Sequence, residues 1–261
     1  MMRADSALSP ATGPREKASR GANVIGNRIL RGLDRLLRER SLVGADAFFE
    51  AGRFPWIAPL EASWQLMRHE LEAVLCHRDA LPNFQDIISH ERHLTSDAGW
   101  KTYFLLGYGR QFPRNMARCP ETTRLIRGIP GLTTAMFSIL APGKRIPPHR
   151  GPYAGVLRYH LALHVPQPAD RCGIRVGTEV RHWEEGRSLV FDDTYEHEVW
   201  NETSGTRVVL FVDVKRPLRG TARWLNDAVI QLIARSPYVR DAAARHGLWE
   251  KGFEQALRDA D

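Results

Sequence analysis

The stretch PPHRGPYAGVLRYHLALHVP, residues 147–166, decides how the chain is to be read. Its second half, from Val156, has the aliphatic and aromatic content of a β-strand. Yet the stretch carries His149, His160 and His164 together with Arg150 and Arg158, and Gly151-Pro152 separates His149 from the strand. Side chains two apart on a strand share a face, so Arg158 and His160 point the same way. An arginine turned into a small β-core is costly unless it meets an anion.

Similar runs lie on both sides. TTAMFSILAPG (133–143) precedes the stretch, and CGIRVGTEVRHW (172–183), GRSLVFDD (186–193), HEVWNET (197–203) and TRVVLFVDVKRP (206–217) follow it. Gly, Pro and Asp punctuate them at roughly ten-residue spacing, the pattern of an all-β sandwich or barrel. The expected fold is mainly β with flanking helices, around a double-stranded β-helix core, a cupin-like jelly roll whose mouth takes a small ligand.

Further out the periodicity changes. PLEASWQLMRHELEAVLCHRDAL (59–81) places Leu60, Trp64, Met67, Leu71 and Leu75 on one helical stripe, and CPETTRLIRGI (119–129) reads as a shorter helix opened by Pro120. WKTYFLLGYG (100–109) reads as a strand. The organisation expected is a disordered tail over 1–22, a basic amphipathic helix over 23–44, the β-core with its preceding helices over 45–220, and a helical extension over 221–261 broken at Pro237.

Charge is concentrated at the N-terminus. The 261-residue chain has a formal charge of +7, and residues 1–40 hold nine Lys/Arg against four acids. An amphipathic helix over 23–40 with arginines off its apolar stripe would contact an anionic membrane peripherally. The alternative is a helix packed on the domain with a solvated basic face. A nucleic-acid partner is not expected, because no recognition motif accompanies the basic segment. Cys76, Cys119 and Cys172 are widely spaced and odd in number, which suits neither a disulfide framework nor a zinc motif. With no bilayer-length apolar run and no secretory leader in view, a cytoplasmic protein is expected, either free or peripheral to the inner membrane face.

His149 and His197 carry the metal expectation. Each stands at the edge of an expected strand, and in a β-helix such residues converge at the mouth. Two imidazoles suit Fe(II), Zn or Cu, and open positions suit Fe(II) oxygen chemistry. The acid that often stands two residues after the first histidine is absent, since Gly151 occupies that place. Arg207 opens the last strand, and its planar fork fits a carboxylate. A dicarboxylate would answer both Arg158 and Arg207. Taken singly, a strand arginine is more often solvated and a histidine more often structural; the set carries the reading. His164 and His182 read as structural or solvated, and Asp192, Glu196 and Glu198 as an acidic turn.

HRGP, LRYHL, WEEG, FDD-YEHE-WN and R-VLFVDV, in this order over roughly residues 50–220, resemble the aspartyl/asparaginyl β-hydroxylase family of Fe(II)/2-oxoglutarate dioxygenases. The resemblance implies a double-stranded β-helix that couples decarboxylation of 2-oxoglutarate to insertion of an oxygen atom from O2 into an unactivated C–H bond. It also implies iron held by two histidines with no carboxylate, in keeping with Gly151. On this likeness His149 and His197 match the iron ligands. Ser138, Arg158 and His160 match residues that grip one or other carboxylate of 2-oxoglutarate, Arg207 matches the second arginine of that pocket, and Asp193 an acid that holds a metal-bound water.

Within the family the stretches around both histidines look closer to bacterial enzymes that hydroxylate lipid acyl chains at C2, on lipid A or ornithine lipids. The alternative substrates are an aspartyl or asparaginyl residue of a peptide, or a small amino-acid-derived natural product. A cupin-like binding protein without turnover would show damage to the ligand set, and none is seen. A zinc hydrolase would want a third protein ligand.

Overall fold

The computed structural model describes residues 32–258. Among them the strands are β1 (Phe48–Phe49), β2 (Trp100–Gly107), β3 (Arg110–Gln111), β4 (Leu132–Leu140), β5 (Arg145–His149), β6 (Val156–His164), β7 (Cys172–Val176), β8 (Glu179–His182), β9 (Ser188–Phe191), β10 (His197–Asn201) and β11 (Arg207–Lys215). They pair antiparallel into two sheets, in the orders β1-β9-β6-β11-β4-β2-β3 and β5-β10-β7-β8. The helices are α1 (32–39), α2 (Ile57–Ala62), α3 (Trp64–Leu75), α4 (Phe84–Ile87), α5 (Pro113–Arg118), α6 (Pro120–Arg127), α7 (Thr221–Ala234) and α8 (Pro237–Arg258).

Alternation along the long strands sorts their side chains into two cores. One face of the larger sheet supplies Met136, Ala162, Val209 and Phe211, which meet Ile146, Cys172, Ile174 and Val199 of the smaller sheet in one buried cluster. That is the barrel interior. The other face supplies Phe137, Tyr159, Leu161 and Leu210, which pack under Leu60, Met67 and Leu71 of α2 and α3 and Ile126 of α6. Each fully buried aliphatic or aromatic side chain contributes roughly 1.5–3 kcal/mol. This is a cupin-like jelly roll with helices on one side. Ser138, His160 and Arg207 stand on the interior face, because they alternate in phase with Met136, Ala162 and Val209.

Two expectations are refined. The helical stripe over 59–81 is split at Ser63, whose φ of −114° ends α2 and starts α3. Leu60, Met67 and Leu71 are buried as expected, and Trp64 is partly buried against the same core while its Nε1 meets the Gly186 turn, where a Cβ would lie 2.6 Å away. Of the basic segment, the helix ends at residue 39, and Ser41 bridges Leu218. Leu37 is fully buried and, with Leu33, packs against Tyr153, Val156, Leu218, Ala222 and Ile230. Residues 1–22 and 23–31 lie outside the described residues.

Candidate active site

β5 and β10 lie side by side, and their register sets His197 opposite His149. The ring centroids are 4.0 Å apart, at an interplanar angle of 49°. Nδ1 of His149 lies 2.8 Å from the Pro147 carbonyl, and Nδ1 of His197 lies 3.0 Å from that of Tyr195. A carbonyl only accepts, so each Nδ1 carries the proton and each Nε2 keeps its lone pair. Burial holds both rings below the ordinary histidine range, His197 at about 3. Both are therefore neutral, the form that ligates metals, and main-chain carbonyls of this kind fix such rings.

Among the described residues no group of three or more His, Cys, Asp or Glu gathers at metal-ligand spacing. Residue 151 shows why no acid joins from the first loop. A Cβ there would lie 2.3 Å from the Asp193 carboxyl, and Gly151 N donates to Asp193 O at 2.7 Å. The space beside His149 is filled from the opposite loop. Asp193 is buried and its Oδ1 has no partner; burial outweighs the facing Arg158 and pushes the carboxyl up.

Arg158 points into the same end. Its Nε donates to Asp213 Oδ1 at 2.9 Å, its Nη2 lies 2.9 Å from Asp193 Oδ2, and the guanidinium sits 4.3 Å over the Phe211 ring. Sequence placed it on the correct face, but the anions it holds are two acids of the chain, one of them its cross-strand partner Asp213.

Arg207 is the opposite case. It is buried; Nη1 donates to Ser138 O at 3.2 Å, Nε has no partner, and no acid of the described residues pairs with it. Burial pushes its guanidinium down to about 10. Its charge lies 4.6 Å over the Trp183 ring. His160 stands among Trp183, Phe191 and Phe211, with ring centroids at 6.0, 5.1 and 5.2 Å. Both its nitrogens lack partners, as does Trp183 Nε1, and burial, with Arg207 and Arg158 facing it, holds the imidazole well below its usual value. Ser138 Oγ accepts from Trp100 Nε1 at 3.0 Å. An unpartnered buried polar group costs about 1–3 kcal/mol, so three residues of this kind on one wall mark a place for a polar ligand.

The family model for aspartyl/asparaginyl beta-hydroxylase matches residues 61–217. The chain belongs to that family. It is 48% identical to the ornithine lipid ester-linked acyl 2-hydroxylase of Rhizobium tropici over 211 residues, 81% of this chain and 75% of that one. It is 34% identical to the aspartyl/asparaginyl beta-hydroxylase of Homo sapiens over 173 residues, covering 64% of this chain but only 22% of the human protein. With aspartate beta-hydroxylase domain-containing protein 2 of Homo sapiens the identity is 32%, over 59% of this chain and 44% of that one. A cupin domain of a transcriptional regulator from Enterobacter cloacae aligns with a TM-score of 0.32 and 15% identity over 44% of this chain and 96% of that one; the sheet order above carries the fold by itself. Two of these relatives are hydroxylases by name, and the chain is an enzyme of their family.

A buried ion cluster positions the two histidine loops. Arg216 donates through Nη2 to Asp192 Oδ2 at 2.5 Å and through Nε to Ala154 O at 2.6 Å, and Arg38 of α1 reaches Asp192 Oδ2 at 3.3 Å and Thr194 Oγ1. Asp34 accepts from Ala154 N at 2.9 Å. Asp192 is thus a clamp rather than part of a solvated turn, whereas Glu198 and Glu196 do pair on the outside with Arg175, at 2.6 and 3.5 Å. His164 is half exposed beside Glu185 at 3.6 Å, and His182 Nδ1 lies 3.1 Å from Cys172 O; both are structural, as expected. Sequence reasoning passed over Asp213, Trp183 and Arg216. Asp213 was visible as an acid inside an apolar strand, which requires a buried cation.

Proposed function

We propose that the chain is an Fe(II)- and 2-oxoglutarate-dependent hydroxylase that inserts oxygen at C2 of a lipid acyl chain. The observation that carries the cosubstrate is Arg207, a buried cation facing no acid beside the doubly unpartnered His160. A dicarboxylate supplies the missing anion. The donor set also fits iron: His149 and His197 present two neutral rings, fixed through Nδ1, with no carboxylate between them.

When bound, the iron would activate O2 while oxidation of 2-oxoglutarate to succinate and CO2 provides two electrons, so that one oxygen atom enters the C–H bond and the other enters succinate. The chain's own residues do the rest. Arg207 binds the far carboxylate with its fork while the Ser138 carbonyl orients the guanidinium. His160, whose charged form is disfavoured by burial and the facing arginines, donates one hydrogen bond to the cosubstrate. Trp183, Phe191 and Phe211 exclude water from that wall. Asp193, held by Arg158, accepts from a water beside the histidines. Arg158, neutralised by Asp193 and Asp213, keeps this end of the pocket in shape instead of competing for the cosubstrate.

For the substrate, the support is the 48% identity to an ornithine lipid acyl 2-hydroxylase across most of both chains. A second reading, β-hydroxylation of an aspartyl or asparaginyl residue in a peptide, is favoured by the 34% identity to the human enzyme. Mass spectrometry of bacterial lipids with and without the protein separates them. A one-oxygen gain on an ester-linked acyl chain, absent with His149→Ala, is expected; unchanged lipids with intact 2-oxoglutarate turnover would move the assignment to the peptide.

A further inference from the structure

α7 is apolar on two sides. Ala222, Asn226 and Ile230, four residues apart, face the protein and are buried. Trp224, Leu225 and Leu232 are exposed, Trp224 at 67% and Leu232 at 68%. With Ala228, also exposed, they fall on one outward stripe of the helix. Leu42, 63% exposed, belongs to the same corner: its N donates to Pro217 O at 2.9 Å, just ahead of α7. Single exposed hydrophobics are ordinary, but an aligned row with a tryptophan marks an interaction surface.

The charges around the row identify what it meets. Arg40, Arg219, Arg223 and Arg235 are exposed about it, and the Arg223 guanidinium lies 4.9 Å over the Trp224 ring. The acids of the same elements are already engaged: Asp227 with Lys215 at 2.6 Å, Glu39 with Arg35 at 2.9 Å, and Asp34 with Ala154 N. The rim is therefore positive and the centre apolar. The surface is also tied to the site. Tyr153 donates to Asn226 Oδ1 at 2.8 Å, and Asn226 Nδ2 donates to Gly155 O at 2.8 Å. A Cβ on Gly155 would lie 2.1 Å from Asn226 Oδ1. Helix α7 is thus stapled to the segment that joins His149 to β6.

We propose that the outward face of α7, with Leu42, is the surface by which the protein lies on an anionic lipid bilayer. Trp224 and the leucines enter the boundary between headgroups and acyl chains, and the arginines take the lipid phosphates. Within the described residues the apolar stripe of α1 is not available for such a contact, because Leu37 is already buried against α7 and its neighbours. The use of the surface in catalysis rests on the acyl-lipid reading; the binding itself does not.

The test is co-sedimentation of the whole protein with phosphatidylcholine vesicles, with and without about a third phosphatidylglycerol. Binding is expected only where the anionic lipid is present. Trp224→Ser with Leu232→Ser is expected to lower it at least about tenfold, with an unchanged unfolding midpoint. Each of Arg219→Gln, Arg223→Gln and Arg235→Gln should lower it about fivefold at low salt. Equal binding to both vesicle types, or undiminished binding by the double variant, overturns the proposal. So does a dimer in sedimentation velocity that Trp224→Ser dissociates, since the face would then cover a second copy. Loss of binding by the variants, with no lipid product from the wild type, would uphold the surface and remove the acyl-lipid function.

Discussion

Two arginines reach the barrel interior from neighbouring strands, and their surroundings are opposite. Arg158 on β6 is answered by Asp193 and Asp213, so its end of the pocket is neutral by itself. Arg207 on β11 has a carbonyl, the buried Cys172 thiol, an aromatic face and a neutral imidazole, but no carboxylate. A buried cation with a counter-charge is part of the fold; one without is part of a binding site, because only a ligand completes it. Under the proposed function, the first residue shapes the pocket and the second selects an anion.

Substitution by methionine tests the contrast at its strongest. Arg158→Met strands two buried carboxylates and is expected to lose about 3–5 kcal/mol of stability in urea unfolding at neutral pH. Arg207→Met removes a lone buried charge, and its midpoint is expected to hold or rise. Its 2-oxoglutarate requirement should rise by roughly a hundredfold, from the 2–5 kcal/mol typical of a truncated buried charge pair. Arg207→Lys keeps the charge and loses the fork, and should fall between wild type and Met. Equal destabilisation by both methionine variants would break the comparison.

His246 isolates burial from charge. It lies in α8, far in sequence from either arginine, with Nε2 3.3 Å from Asn115 Nδ2, and burial alone lowers it to about 4. The unfolded chain binds a proton near pH 6.5 that the folded chain refuses until about 4. Stability is therefore full above about 6.5 and falls as pH drops towards 4, by up to roughly 3 kcal/mol. Chemical unfolding at a series of pH values should show this fall, and His246→Asn should remove its share and leave that of the buried His149, His160 and His197.

The smallest effect is at the mouth. Tyr108 has a φ of 46° and Gly109 a φ of 82°, in the two-residue turn between β2 and β3. Such turns want glycine or asparagine, but the Tyr108 hydroxyl is buried facing Asp213 and Tyr238, so Tyr108→Gly is expected to shift the unfolding midpoint by less than about 1 kcal/mol. A larger gain would mean that packing of the ring does not offset the backbone strain.

Local pattern made the strands legible, and with them the shared face of Arg158 and His160; Ser138 entered only through the family resemblance. The opposition of His149 and His197 followed from placing two strand edges at one mouth. Partners were not legible, because they come from distant elements. Asp192 looks like a turn residue until Arg216 and Arg38 are seen on its carboxylate, the latter 154 positions away. Arg158 is expected from the sequence to grip a cosubstrate carboxylate, and nothing in its own strand shows that Asp213 is its register partner. The break at Ser63 escaped notice because a continuous apolar stripe runs through it.

The most direct test is a purified, Fe(II)-loaded reaction with an ester-linked acyl lipid, 2-oxoglutarate and O2, following succinate and lipid product together. Formation of succinate and 2-hydroxyacyl lipid in equal amounts, lost in both His197→Ala and Arg207→Met, is the predicted result. Hydroxylated lipid formed at an undiminished rate without 2-oxoglutarate, or by Arg207→Met, would contradict the account.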